Sequence, residues 1–185
     1  MRYFRLAIVL LVLGFAAGTF IRPNPAQAAS AAEIDRNANN ALASLYAKTP
    51  AAKVLGEKAQ GILVFPSITK GGFMVGGQFG EGALIQGGKT VGYYNTVQVS
   101  YGLQAGIQKY GYALFFMTGA ASKWLEKSDG WELGTGPSIV VVDTGMAKSM
   151  TTTTLQSDIY AFFFDQKGLM GGLGLQGTKI TKINK

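Results

Sequence analysis

The sequence predicts an α+β fold in which N-terminal helices pack on a strongly bent antiparallel β-sheet or partial barrel. Residues 30–60 are rich in alanine and carry helix-capping signals, whereas the pattern switches to period two from Gly61 onward. Glycine is concentrated in the same region, since 13 of the 26 glycines lie between Gly61 and Gly111. Long strands with internal glycines are typical of sheets that bend sharply, so we expect a curved sheet.

Two helices are predicted in the N-terminal segment. The first follows a capping box from Ser30 to Glu33, and its apolar positions recur on one face: Ile34, Ala38, Ala41, Leu42 and Leu45. Thr49 and Pro50 form an N-cap followed by proline at the first helical position, which predicts a second helix over 50–60. We expect its inward face to carry Val54, Leu55 and Ala59, and its outward face to carry Lys53 and Lys58.

The clearest β pattern is the run 91–108, "VGYYNTVQVSYGLQAGIQ", in which apolar residues alternate with polar residues or glycine, as in half-buried antiparallel strands. The run exceeds the usual strand length of about five or six residues, so we expect a bulge or sharp bend near Gly102. A short helix near 119–127 carries Trp124 and Leu125 as its apolar anchor. The other predicted strands are 62–65, 72–79, 82–86, 112–118, 131–133, 138–143, 159–164 and about 169–181.

Two glycine-rich stretches resemble nucleotide-binding motifs but do not meet their requirements. The stretch "GEGALIQGGKT" (80–90) has Ala83 where a phosphate-binding loop needs its first glycine, and a strand pattern follows it instead of a helix. We interpret Gly87 and Gly88 as a two-residue hairpin turn. The stretch "GLGLQG" (172–177) matches GxGxxG, yet the eight residues after Gly177 are too few for the rest of a dinucleotide-binding unit. No nucleotide ligand is expected.

Residues 1–28 have the composition of a signal peptide. Arg2 and Arg5 precede an apolar run, and Ala26-Gln27-Ala28 provides a small-residue cleavage site. The apolar run is shorter than the ~20 residues that span a bilayer as a helix. We therefore expect export, cleavage, and a single mature domain, 29–185, in the periplasm or at the cell envelope. Its helical lead would be 29–60, and 61–185 would be mainly β. A retained N-terminal anchor is the alternative.

The composition excludes several function classes. Without residues 1–28 the chain keeps 14 cations and 10 acids, so the net charge of +7 falls to +4. Thirteen of those cations are lysines, and Arg36 alone offers the planar guanidinium favoured for specific nucleic-acid recognition, so no nucleic-acid partner is expected. The chain has no histidine and no cysteine, which excludes Ser-His-Asp and Cys-His sites and the commonest zinc sites. We expect a protein that is not an enzyme and that uses neither a cofactor nor a metal.

Four ordered motifs resemble the SYLF domain family over about 41–183: "ILVFPSITKGGFMVGGQFGEGALI", "GYYNTVQVSYGLQAGIQKYGYALFFMT", "SDGWELG" and "IYAFFFDQKGLMGGLGLQGTKI". The resemblance implies lipid binding, because eukaryotic members are phosphoinositide-binding modules. Fungal members with SH3 domains also bind actin, but no SH3 or FYVE-type domain is apparent here and an export signal is predicted. Actin and phosphoinositides are therefore not the expected partners. An anionic phospholipid surface is compatible with both the resemblance and the positive charge.

The resemblance and the charge pattern nominate three groups of lipid-binding residues. By position in the family motif, Lys70 with Gly71 and Gly72 is the first candidate for contact with a headgroup. The second group is the C-terminal lysines, each worth about 1 kcal/mol near an anionic surface: Lys179, Lys182 and Lys185. The third is Lys53 with Lys58 on the second helix. Each group has an alternative interpretation as ordinary turn, tail or surface lysines.

The predicted function is non-catalytic binding of anionic phospholipid at an envelope membrane. The alternative is a structural or scaffolding protein that self-associates or binds another envelope protein. Trp124 and Trp131 are interpreted either as core residues or as anchors at a membrane interface. An apolar cavity inside the sheet would favour carriage of a lipid, whereas a filled interior would favour peripheral attachment.

Overall fold

The computed structural model describes residues 28–73, 75–101, 106–128, 130–149, 156–168, 175 and 177–185. The predicted signal peptide, 1–28, lies outside these residues except for its last position. The predicted bend near Gly102 and most of the glycine motif at 172–177 also lie outside them.

The N-terminal helices form where the capping signals predict them. Helix α1 spans Ala31–Lys48, and the Ser30 Oγ accepts a hydrogen bond from the backbone N–H of Glu33 at 3.3 Å. Helix α2 spans Pro50–Gly56 and is therefore shorter than predicted. The inward face of α1 is confirmed, because its buried residues are Ile34, Ala38, Leu42 and Leu45. The inward prediction for Val54 is wrong: its side chain is 43% exposed, since the short helix buries Ala52 and Leu55 instead.

Within the described residues, eight strands form one sheet. They are β1 Gly61–Phe73, β2 Val75–Gln86, β3 Lys89–Tyr101, β4 Gly106–Phe116, β5 Trp131–Glu132, β6 Ile139–Val142, β7 Ile159–Gly168 and β8 Lys179–Ile183. Helix α3, Gly119–Lys127, follows β4, and helix α4, Thr144–Ser149, follows β6. The strand order is β5-β8-β3-β2-β1-β4-β7-β6.

The sheet is mixed, so the prediction of a purely antiparallel sheet is wrong at one edge. Strands β6 and β7 pair in parallel, and the other pairs are antiparallel. The chain between β6 and β7, which includes α4, is long enough for the crossover connection that a parallel pair needs.

Several predicted strand boundaries change in the structure. The predicted strands 62–65, 72–79 and 82–86 belong to two long strands, β1 and β2. The glycines within β2 do not interrupt the strand. Gly80 and Gly82 lie beneath the side chains of Ile68 and Phe65, where a Cβ would collide. The run 91–108 divides into β3 and β4, which are separated in the sheet by β2 and β1. The turn at Gly87 and Gly88 is confirmed, with φ angles of 55° and 76°.

The sheet curls into a half-barrel, which confirms the predicted bending. Trp131 of β5 and Phe116 of β4 lie in strands with four others between them, a separation of about 24 Å in a flat sheet. Their ring centroids are nevertheless 6.2 Å apart. Tyr112 of β4 likewise reaches across two strands and donates a hydrogen bond to Thr96 Oγ1 of β3 at 2.7 Å.

The two faces of the curled sheet have separate cores. The concave core is filled by aromatic and aliphatic side chains, including the fully buried Phe65, Tyr112, Phe116 and Trp131. On the convex face, α1 and α2 cover a second core that includes Val64, Ala83, Phe115 and Phe162. Within the described residues, side chains fill the concave interior.

Candidate functional site

Among the described residues, helices pack on one half of the convex face, and the other half has exposed side chains. Ile62, Val64, Ala83 and Ile85 lie under the helices. Farther along the neighbouring strands, outward side chains such as Phe79, Val99 and Ile107 are exposed. We call this second region the bare half of the convex face.

The bare half carries large apolar side chains that face solvent. We define the convex apolar patch as Val75, Phe79, Val97, Val99 and Ile107, whose exposed fractions are 56%, 52%, 40%, 60% and 69%. They are contiguous, because Phe79 pairs with Val97, Gly77 pairs with Val99, and Gly71 pairs with both Gly77 and Ile107. A contiguous apolar surface on a folded protein indicates an interaction site.

Lysines flank this patch at both ends of one cross-strand row. The register of neighbouring strands places six residues in line across the convex face: Lys179, Val97, Phe79, Thr69, Lys109 and Lys167. All six are exposed. The row therefore has an apolar centre with cationic ends, the distribution that fits a lipid surface with anionic headgroups.

The positive charge is strongest at the β4–β7 end of the row. Lys109 and Lys167 are direct cross-strand partners, and like charges in this arrangement repel each other. At the other end, Lys179 pairs in register with Glu132 of β5, which offsets part of its charge. An anionic ligand between Lys109 and Lys167 would relieve their repulsion.

A buried polar row lies on the concave face, one residue along the same strands. Lys70 of β1 pairs in register with Gln78 of β2 and with Gln108 of β4, and all three are buried. Gln78 accepts a short hydrogen bond from the Tyr110 hydroxyl and donates one to Thr178 Oγ1 at 3.3 Å. Burial raises the pKa of Tyr110 to about 12, so the hydroxyl stays protonated as a donor at neutral pH. The Oε1 of Gln108 is buried without a hydrogen-bond partner in the described structure.

The first predicted group, Lys70 with Gly71 and Gly72, is divided between the two faces. Lys70 is only 7% exposed, on the concave face. Gly71 lies beside Ile107 on the convex face. Gly72 pairs with Gly76 and Gly106 on the concave side, where the neighbouring backbone leaves no room for a Cβ.

The other predicted lysines do not form one cluster. Lys179 lies in the flanked convex row, and Lys182 is exposed opposite Tyr94. Lys185 is held in place, because its Nζ lies 2.7 Å from Glu81 Oε1 and 3.0 Å from the Ala29 carbonyl oxygen. Lys53 is exposed on α2, and Lys58 is exposed just after it. Of these residues, Lys179 alone adjoins the convex apolar patch in register.

The sequence pattern did not predict a role for Lys109 and Lys167 or the exposure of the patch. Alternation in strands β2 to β4 indicates two faces but does not say which face is buried. In the bare half, the alternate strand positions that carry polar residues, such as Gln78 and Gln108, are buried. The positions that carry apolar residues, such as Phe79 and Ile107, are exposed. The sequence carries only a weak signal for the lysine pair, since Lys109 and Lys167 each directly follow a glutamine.

The two tryptophans have different environments. Trp131 is 2% exposed, and its Nε1–H donates a hydrogen bond to the Thr135 carbonyl oxygen at 2.8 Å, so it is a core residue. Trp124 is 47% exposed on α3. In the described part of the chain, no cluster of three or more acidic side chains is placed to hold a metal ion. No helix there is long and apolar enough to cross a membrane.

The C-terminal part of the chain is similar to a known family. The family model described as Ysc84, Las17-binding protein actin regulator, matches residues 97–185. The matched stretch, which is 89 of the 185 residues, is similar to the Ysc84 (SYLF) family. This is a family of lipid-binding, actin-regulator-related domains, and it is a binding-type family. The resemblance is thus confirmed from Val97 onward, and for 41–96 it stays a prediction. No curated protein matches the chain.

Proposed function

We propose that this protein binds anionic phospholipid at a membrane of the cell envelope, without catalysis, through the bare half of the convex face. The observation that carries the proposal is the row in which exposed Val97 and Phe79 lie between Lys179 and the pair Lys109 and Lys167. Apolar side chains of this kind enter the headgroup region, and each lysine near an anionic surface contributes about 1 kcal/mol.

The match to this family supports the proposal at a coarser level. The matched family contains lipid-binding and actin-related domains, so a binding role is the starting expectation. The filled concave core favours attachment from outside over enclosure of an acyl chain. The family description also names a protein partner, which keeps an acidic protein surface as the second candidate for the same lysines.

Co-sedimentation with vesicles tests the proposal. The protein is mixed with vesicles of phosphatidylcholine alone or with about one third phosphatidylglycerol, at low and at high salt. We expect binding to the anionic vesicles that weakens as salt rises, because screening shortens the reach of the lysine charges. Absence of binding to either composition would overturn the lipid proposal and direct attention to protein partners.

A pair of matched variants tests the surface itself. Lys109→Gln with Lys167→Gln removes about 2 kcal/mol of attraction, so the affinity for anionic vesicles should fall about thirtyfold. Lys109→Arg with Lys167→Arg keeps the charge and should bind within about threefold of the unmodified protein. Folding of the glutamine variant should be intact, since the substitution relieves a like-charge pair on an exposed face. Equal affinity of all three proteins would exclude this surface.

Export to the envelope is part of the proposal. Cleavage after Ala28 would leave Ser30 as the N-cap of α1 and would preserve the contact between Lys185 and the Ala29 carbonyl oxygen. Mass spectrometry of the protein from the envelope fraction should give a chain that begins at Ala29. A chain that retains residues 1–28 in the membrane fraction would indicate an N-terminal anchor instead.

A further inference from the structure

Helix α3 packs one side against the concave core and presents the other side to solvent. Ala121, Ser122 and Leu125 are its buried residues, and Ser122 accepts a hydrogen bond from Gln86 Nε2 at 3.0 Å. At about 100° per residue, Ala120, Lys123 and Lys127 lie on the opposite side of the helix, with Trp124 at its flank. We call these four residues the α3 ridge. All four are exposed.

Trp124 is fixed against the protein on one side and open on the other. Its indole lies over Gly136, so closely that a Cβ at that position would be 2.6 Å from the ring. Gly136 has a φ of 82°, in the left-handed region that favours glycine. The indole ring thus packs directly on the backbone of Gly136, yet nearly half of Trp124 faces solvent. An exposed tryptophan with a fixed orientation is well suited to a membrane interface.

The ridge also concentrates positive charge. Lys123 and Lys127 are four residues apart on the helix, and like charges at this spacing repel each other. Glu126 is three residues after Lys123 and offsets part of this charge, but no ion pair joins it to either lysine in the described structure. A tryptophan beside two lysines resembles the convex row in character, because both combine apolar surface with an excess of positive charge.

The ridge and the convex apolar patch do not lie on one plane. Ile107 of the patch is at the start of β4, and α3 begins just after β4 ends at Phe116, so about 30 Å of strand separates them. The patch points outward from the convex face, whereas α3 packs on the concave core and its ridge points away from that core. A single flat bilayer therefore does not reach both surfaces.

We propose that the α3 ridge is a second binding surface for an anionic bilayer, so that one protein molecule bridges two membranes. This inference rests on the proposed function of the convex face. The partner at the ridge is a lipid surface, since an exposed interfacial tryptophan flanked by lysines matches anionic headgroups above an apolar interior.

Vesicle clustering tests the bridging separately from binding. Two populations of vesicles with one third phosphatidylglycerol carry a donor and an acceptor lipid dye, and energy transfer between vesicles is followed after addition of the protein. The protein is used in the form that an exporting host produces, with its N-terminus read by mass spectrometry. We expect clustering that is lost at high salt. Vesicles that bind the protein without clustering would overturn the bridging and leave the proposed function intact. Absence of binding would overturn both.

Variants of the ridge decide between bridging and dimerisation. Lys123→Gln with Lys127→Gln should slow clustering at least tenfold, while binding to single vesicles stays within about threefold, because the convex face is unchanged. Lys123→Arg with Lys127→Arg should cluster vesicles normally, and neither pair touches the buried side of α3. If the glutamine variant clusters vesicles as fast as the unmodified protein, a protein dimer explains the clustering and the ridge is not a membrane surface.

Discussion

The two halves of the convex face belong to the same strands but have different surroundings. In one half, Phe115 is fully buried between Tyr46 of α1 and Phe162 of β7, with ring centroids 6.4 Å and 5.2 Å away. In the other half, Phe79 of β2 is 52% exposed. The strand segments of the covered half are continuously apolar, as at 62–65 and 112–116, because both of their faces are buried, whereas apolar and polar residues alternate in the bare half, as at 96–99. An apolar surface left next to lysines is then available for a partner.

The largest expected difference between the halves is in stability. Phe115→Ala should lower the free energy of unfolding by about 3–5 kcal/mol, because it empties a closed aromatic contact. Phe79→Ala, the matched change in the bare half, should alter it by about 0.5 kcal/mol or less. Urea unfolding followed by circular dichroism measures both. Equal losses of unfolding free energy in the two variants would mean that the bare half is covered in the folded protein.

Affinity for membranes should show the reverse order. Phe79→Ala removes a half-exposed aromatic side chain from the patch, so the affinity for anionic vesicles should fall about tenfold. Thr69→Ala, in the same row, serves as a control that changes little apolar surface and should bind normally. If Phe79→Ala binds as tightly as the unmodified protein, attachment depends on the lysine charges and not on insertion of the convex apolar patch into the bilayer.

Acid should weaken the network that joins β6, β7 and the start of α3. Hydrogen bonds from the backbone N–H and hydroxyl of Ser138, with a smaller contribution from Thr118, lower the pKa of Asp158. A carboxyl whose pKa is lowered by folding stabilises the fold above its unfolded pKa of about 4, and this contribution is lost as the pH falls through the folded value.

The stability of Asp158→Asn should therefore depend less on pH between about 5 and 2 than that of the unmodified protein. The difference should be below about 1 kcal/mol, because solvent screens a carboxylate that is not fully buried. Thermal unfolding at a series of pH values measures it. Identical pH profiles of the two proteins would contradict the assignment.

The smallest expected effect concerns the concave face. Lys70→Met removes the charge but keeps the length of the side chain. Because Lys70 is only 7% exposed on the concave face, it does not face the membrane, and vesicle affinity should stay within about twofold of the unmodified protein. Sedimentation with anionic vesicles measures this, and circular dichroism checks that the variant is folded. A loss of tenfold or more would place the headgroup at Lys70, the residue that the family motif nominates first.

The sequence by itself determined the local structure and the broad class. Capping at Ser30, the helical apolar face of α1 and the Gly87–Gly88 turn depend on neighbours in the chain, and each is confirmed. Tertiary structure decided which of the two faces of each strand is buried, because burial depends on which helix or sheet edge packs against that face. It therefore brought Lys109 beside Lys167, placed Lys70 under the sheet and left Phe79 exposed. Contacts between residues so far apart in the chain arise from strand order and curling, which periodicity does not encode.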